Sequence, residues 1–164
     1  MSEILLIGYG NPLCGDDGLG PAVAEGVAQQ LRENPLPGVD VLIKHQLDLV
    51  MSEQLRHYHT IVFIDAQTEL YDEAVVVSRL EASEGDRLPS PFSAHELHPG
   101  DLLALSDQLY QAQPEAWLVA VRGYHMELCE AISSAALINA EKAVSTVIEL
   151  LKRLLSLRET RHQV

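Results

Sequence analysis

Three aspartates lie near the ends of predicted buried strands, where α/β proteins present polar side chains to a ligand. Asp16 and Asp17 follow the apolar run Ile4–Ile7 and a glycine-rich turn. Asp65 closes a second apolar run, Thr60–Ile64. Because parallel strands present their carboxyl ends at one edge of a sheet, we expect Asp65 to point into the same crevice as the first loop. Carboxylates in that place suit a cation or a polar electrophile.

The first strand, turn and helix must position Asp16 and Asp17. Four consecutive aliphatic residues bounded by glycine are typical of a strand buried on both faces of a parallel sheet. The following turn contains Pro12 and five glycines from Gly8 to Gly20, which permit positive φ and close backbone approach. An amphipathic helix is then predicted, with Pro21 in its first turn and a stripe of apolar residues at Leu19, Val23, Val27 and Leu31. An aspartate before a helix also stabilises it as a cap, so a structural role for Asp17 stays open.

The glycine-rich turn does not match the common nucleotide-binding signatures. The dinucleotide fingerprint requires a third glycine where this chain has Leu13, and the phosphate-binding loop requires a Gly-Lys-Ser/Thr sequence that is not present here. Asp16 and Asp17 would also repel a pyrophosphate at the helix start.

Composition and charge narrow the class of partner. The chain has 164 residues, enough for one domain with a full core. Its 24 acidic and 11 basic residues give a net charge of −13. This charge argues against nucleic acid and against an anionic membrane surface, and favours a metal or a basic or neutral protein partner.

The remaining sequence signals predict a soluble, cytoplasmic monomer. Cys14 and Cys129 fit no metal-finger spacing, and two cysteines suit a reducing compartment. The first residues lack the basic region of a signal peptide, and no segment reaches the roughly 20 apolar residues of a membrane helix. No surplus apolar stripe calls for a second subunit.

Periodicity places the other elements. Further strands are predicted at Val39–Ile43, Thr60–Ala66, Ala74–Leu80 and within 114–124. Helices are predicted from Asp48 to about Arg56, after Pro99 with Leu102, Leu105 and Leu109 inward, and from Ser134 to about Leu157. The inner stripe of the last helix is predicted as Leu137, Ala140, Val144, Val147, Leu151 and Leu154. We therefore expect residues 1–164 to form one three-layer α/β/α domain with a twisted, mostly parallel five-stranded sheet, and about 158–164 to be a frayed tail.

The opening segment resembles a known family. The pattern Gly8-x-Gly10-Asn11-x-Leu13-x-x-Asp16-Asp17-Gly18-x-Gly20 after a first strand is similar to the signature of the hydrogenase maturation endopeptidases. These enzymes trim the large subunit of [NiFe] hydrogenases. The family's histidine segment places an Asp-Leu-Leu-like sequence six residues beyond a histidine, and His95 with Asp101-Leu102-Leu103 matches that register, whereas His98 does not.

The resemblance implies a site made of Asp17, Asp65 and His95. It implies that nickel is carried by the large-subunit precursor and that the endopeptidase reads this nickel through its acids and histidine, with no organic cofactor. Two carboxylates and one imidazole are a suitable ligand set for a divalent first-row ion, and three protein ligands leave coordination positions open. Cleavage near the precursor's C-terminus would then follow nickel insertion.

Two departures and two alternatives accompany this prediction. Where the family often carries an Asp-Gly-Gly-Thr-like loop, this chain has His45-Gln46-Leu47-Asp48, and many relatives carry glutamate in place of Asp17. One alternative is a non-catalytic assembly factor that binds a metal-loaded partner. The other is a small-molecule α/β enzyme, although the acidic loop offers no phosphate or ribose site.

Overall fold

A five-stranded sheet forms the centre of the computed structural model, which describes residues 2–70, 72–84, 97–128 and 130–163. Its strands are β1 (Ile4–Tyr9), β2 (Val39–Lys44), β3 (Thr60–Gln67), β4 (Val75–Leu80) and β5 (Glu115–Arg122), in the spatial order β2-β1-β3-β5-β4. The β1–β2, β1–β3 and β3–β5 pairs are parallel, and β4 is antiparallel to β5. The predicted mostly parallel sheet is confirmed, and the strand order is a result of the structure.

Helices cover both faces of the sheet. The helices are α1 (Leu19–Glu33), α2 (Met51–Leu55), α3 (Pro99–Tyr110) and α4 (Ser134–His162). One buried cluster joins α1 and α4 to a face of the sheet, and a second joins α2 and α3 to the other face. Since successive side chains of a strand point to opposite faces, Ile4 and Leu6 belong to the first cluster, and Leu5 and Ile7 to the second. This is the predicted three-layer α/β/α architecture.

Three details of the helix predictions are wrong. Leu109 is 55% exposed and Leu137 is 49% exposed. In α4 the predicted inward positions Ala140, Val147, Leu151 and Leu154 are buried. Ala136 and Ala143 are buried as well, and Leu137 lies on the solvent side. The last helix also continues to His162, past its predicted end near Leu157.

The first strand is joined to α1 by a short 3-10 turn, Gly15–Gly18. Helix α1 begins at Leu19, as its apolar period predicts, and Leu19, Val23 and Val27 are buried. The chain goes from β1 through α1 to β2 on one side of the sheet, and from β3 to β4 and β5 on the other side. The carboxyl ends of the neighbouring strands β1 and β3 therefore flank a point where the connections diverge. Ligands of open α/β sheets bind at such points.

Candidate functional site

A cavity of about 360 Å³ lies at the carboxyl edge of the sheet. Its walls come from the ends of β1 and β3, the loop after β2 and the residues at the start of α3; they are Tyr9, Gly10, Asn11, Asp17, His45, Gln46, Leu47, Asp65, Leu97 and His98. Two of the three predicted site residues, Asp17 and Asp65, therefore face one cavity, which we call the crevice. His95 lies outside the described residues.

Backbone contacts hold Asp17 at the crevice wall. The N–H of Asn11 donates a hydrogen bond of 2.7 Å to Asp17 Oδ2. Gly10 has a φ of +145°, and a Cβ at this position would overlap the carbonyl oxygen of Asp17. Helix α1 has Gly18 as its N-cap and receives no side-chain capping bond. The capping role that was left open for Asp17 is therefore wrong, and its carboxylate is available in the crevice.

Asp16 has a different, structural role. Its side chain is fully buried and accepts four hydrogen bonds: from the N–H groups of Tyr124, His125 and Ser133 and from Ser133 Oγ, at 2.7–3.1 Å. Burial alone would raise the pKa of Asp16, but these hydrogen bonds, led by the one from the Ser133 N–H, outweigh it and hold the pKa below its usual value. Asp16 fastens the 3-10 turn to the loop before α4.

Asp65 combines burial with a neighbouring acid. Burial raises the pKa of Asp65 to about 6, and the negative charge of Asp17 adds to this rise. A hydrogen bond from the Tyr9 hydroxyl, with smaller effects from the Ala66 N–H and from positive charge on His98, offsets part of it. A cation in the crevice would offset both the burial of the Asp65 carboxylate and its repulsion by Asp17.

Tyr9 and His98 are crevice residues that the sequence did not identify as such. Burial, and then the negative charge of Asp65, raises the pKa of Tyr9 well above its usual range, so its hydroxyl stays protonated and donates to Asp65. The Tyr9 ring packs edge-on against Phe63, with centroids 6.4 Å apart. His98 precedes α3, and its N–H donates to Asp101 Oδ2 at 3.1 Å. The only sequence signal for Tyr9 was its place at the end of β1, and His98 had none, since it is out of register with the family's histidine.

The crevice supplies fewer than three metal ligands from the described residues. Within residues 2–70, 72–84, 97–128 and 130–163, no three histidine, cysteine, aspartate or glutamate side chains are placed to hold a metal ion by themselves. Asp17 and Asp65 nevertheless offer oxygen donors that a divalent ion accepts. The pair suits an ion that brings further ligands of its own.

Cys14 is not among the residues that line the crevice. Cys14 is a free, partly buried thiol in the turn before Gly15, and Cys129 lies outside the described residues.

Within the described part of the chain, no helix combines the length and apolar character needed to cross a membrane.

Known structures of the same fold were found by comparison. Across 92% of this chain and 93% of the other, the structure is similar to the [NiFe] hydrogenase maturation protease HycI from Thermococcus kodakarensis, with a TM-score of 0.70 and 20% identity. The hydrogenase maturating endopeptidase HybD from E. coli has a TM-score of 0.66 and 18% identity over the same shares. A hydrogenase 2 maturation peptidase from a Thaumarchaeota archaeon has a TM-score of 0.62 and 24% identity, over 92% and 98%.

The sequence itself matches no family model and no curated protein. The structural likeness extends over nearly the whole of both chains, so this chain has the fold of the hydrogenase maturation proteases. The α/β fold predicted from the strand and helix patterns is confirmed, and it is the fold of the family that the opening segment resembles.

Proposed function

We propose that this chain is an endopeptidase that removes the C-terminal extension of a [NiFe] hydrogenase large-subunit precursor after nickel insertion. One observation carries the proposal: Asp17 and Asp65 face a common crevice at the carboxyl edge of a sheet that has the maturation protease fold. The match between the opening segment and the family's signature supports the same assignment.

Nickel enters this reaction as part of the substrate. Asp17 and Asp65 offer oxygen donors, and His95 would add a nitrogen donor according to the resemblance. A precursor-bound nickel ion would already have ligands from its own protein, and the carboxylates of this chain would complete its coordination. A precursor without nickel would lack the ion that bridges the two proteins, so both its binding and its cleavage would fall.

The hydrolytic step follows from that placement. The ion would polarise the scissile carbonyl or activate a water molecule that attacks it. Addition of water to the carbonyl carbon and cleavage of the C–N bond yield a carboxylate and an amine that takes up the proton. The fixed contact between Asp17 and the Asn11 N–H supports this role, because it holds one carboxylate in place without consuming both of its oxygens.

Mass spectrometry of a large-subunit precursor tests the proposal. The purified precursor, with and without nickel, is incubated with the wild-type protein and with D17N, D65N and H95A. E141Q, at an exposed position on α4, serves as the matched control. We expect nickel-dependent loss of a C-terminal peptide with the wild type and E141Q, and its reduction by at least 100-fold in the three site variants.

Two results would contradict the proposal. Equal cleavage of nickel-free and nickel-loaded precursor would rule out the nickel-reading role. Binding of several precursors without any cleavage would favour the non-catalytic assembly factor.

A further inference from the structure

Strand β2 lies at the end of the sheet, and its inner edge pairs with β1. The N–H of Ile4 donates to the carbonyl of Gly38, and the N–H of Gly10 donates to the carbonyl of Lys44. In a parallel ladder alternate residues of a strand bond to the same neighbour. The even-numbered residues from 38 to 44 therefore use their backbone groups toward β1.

The outer edge of β2 is open among the described residues. By the same alternation, the N–H and C=O groups of Val39, Val41 and Ile43 point away from the sheet, and no described strand pairs with them. An extended peptide can add to such an edge as a further strand, with backbone hydrogen bonds supplying affinity and adjacent pockets supplying selectivity.

A cavity of about 510 Å³ lies beside this edge, lined in part by β2 and by residues at the end of α2. Gln54, His57 and Tyr58 also line it, and its one carboxylate among the described residues is Asp40, whose Oδ2 accepts a hydrogen bond of 2.7 Å from the Tyr58 hydroxyl. None of the ion pairs formed by the described residues includes Asp40. In a chain with a net charge of −13, this carboxylate suits a basic side chain of a partner.

Exposed apolar residues lie at the end of β2 and in the loop before α2. Ile43 is 38% exposed, Leu49 39% and Val50 78%. The ion pair between Lys44 Nζ and Asp48 Oδ2, 3.7 Å apart, closes the loop between β2 and α2. It brings together the chain segments that carry Ile43 and Leu49. The same loop contributes His45, the residue directly after β2, to the crevice wall, so the carboxyl end of β2 leads to the crevice.

We infer that the outer edge of β2 binds an extended segment of the precursor and leads it into the crevice, with a basic side chain of that segment opposite Asp40. This inference rests on the proposed function and adds a recognition surface to it. Asp40 and His45 are separated by five steps of extended chain at about 3.3 Å each. The basic residue should therefore stand about five residues from the bond that is cut.

Proline at position 41 tests the backbone pairing. Proline removes the outward N–H of Val41, and edge strands accept it where that N–H faces solvent. Val41→Ala shortens the same side chain but keeps the N–H, so it is the matched control. With nickel-loaded precursor we expect V41P to raise KM about tenfold with little change in kcat, and V41A to stay within twofold of the wild type. Asp40→Asn, which keeps an acceptor for Tyr58, should raise KM threefold or more at low salt only.

Thermal unfolding of V41P verifies that the variant is folded at the assay temperature. Equal KM values for V41P and the wild type would overturn the inference while leaving the endopeptidase activity established. An equal rise in KM for V41P and V41A would also overturn the inference, because the effect would then come from side-chain packing and not from the backbone N–H.

Amide hydrogen exchange gives an answer that does not depend on cleavage. On addition of the precursor to D17N, the amides of Val41 and Ile43 should exchange at least tenfold more slowly, whereas those of Asp40 and Leu42, already bonded to β1, should not change. If the wild type cleaves no precursor, the proposed function fails. Protection of Val41 and Ile43 would then still support the binding edge, and unchanged exchange would overturn it.

Discussion

The carboxylates of Asp16 and Asp17, adjacent in the chain, have opposite environments. Asp16 accepts four hydrogen bonds from the loop before α4 and is fully buried, whereas Asp17 accepts one from Asn11 and borders the crevice. The Asp-Asp pair of the sequence therefore divides into one residue that fixes the loop and one that faces the crevice.

Substitution of Asp16 should destabilise the protein, and substitution of Asp17 should inactivate it. Asp16→Ala leaves buried donors without an acceptor and should cost about 3 kcal/mol of unfolding free energy. Asp17→Asn should change stability by less than about 1 kcal/mol. Urea unfolding of both variants measures these changes in unfolding free energy. Similar decreases in the two variants would contradict a structural role for Asp16 alone.

The depressed pKa of Asp16 also sets the sign of an acid effect. Its stabilisation should be fully present above the usual aspartate pKa near 3.8 and lost as the pH falls through the lower folded-state value. The wild type should therefore lose stability toward pH 3 more steeply than D16A. Parallel pH profiles for the two proteins would contradict the hydrogen-bonded anion.

Asp65 should produce the opposite dependence in the free protein. Between its ordinary pKa of 3.8 and its folded value of about 6, the folded state holds a proton that the unfolded chain has released. Stability should therefore fall as the pH rises through this window, by about 3 kcal/mol in total. D65N should match the wild type near pH 4 and exceed it above pH 6. Thermal unfolding of D65N and the wild type across pH 4–8 measures this effect. A difference in stability between the two proteins that does not change with pH would disprove the raised pKa of Asp65.

Tyr9→Phe should move that transition to higher pH. The Tyr9 hydroxyl lowers the pKa of Asp65 by hydrogen bonding to its ionised form, and phenylalanine removes the hydroxyl while keeping the ring against Phe63. The midpoint of the pH-dependent stability change should rise by roughly half a unit or more. D65N/Y9F is the control, since it should show no such shift relative to D65N.

Gly10→Ala should disturb both stability and the position of Asp17. Gly10 has a φ of +145° and no room for a Cβ beside the Asp17 carbonyl, so we expect a loss of about 1–3 kcal/mol and of most precursor cleavage. Gly38→Ala is the matched control: Gly38 has a φ of +95°, but its nearest contact would be 3.5 Å away. G38A should lose stability and keep its activity. Equal activity in both variants would disprove the positioning role of Gly10.

The sequence predicts the layers of this fold well because the central strands are apolar on both faces. Residues 61–64 are fully buried, which a continuous apolar run indicates without reference to neighbours. Strand order depends on which strands pair with each other in space, and an apolar run does not indicate its pairing partner. The wrong placement of Leu137 has a related reason: Ala136 and Ala143 lie on the buried face of α4 beside the predicted Ala140, and the apolar signal of an alanine is weak.

The site residues that could be predicted are those that carry a charge and also follow a predicted buried strand. Asp17 follows β1 in the turn before α1, and Asp65 lies near the carboxyl end of β3. Because parallel strands present their carboxyl ends at one edge of the sheet, the two acids could be expected to meet there. The Tyr9 ring packs edge-on against Phe63. This tertiary contact orients Tyr9 in the crevice, and local sequence periodicity does not predict it. Asp16 was predicted only as half of an acidic pair, since its partners stand 108 to 117 positions later in the chain.

That separation has a consequence for synthesis. The turn that carries Asp17 is held by contacts with Tyr124, His125 and Ser133, so a nascent chain that stops before these residues has the acids but not the geometry. Prematurely terminated products should be inert instead of partly active. The turn can take its final geometry only after the chain has been synthesised as far as Ser133, the N-cap of α4.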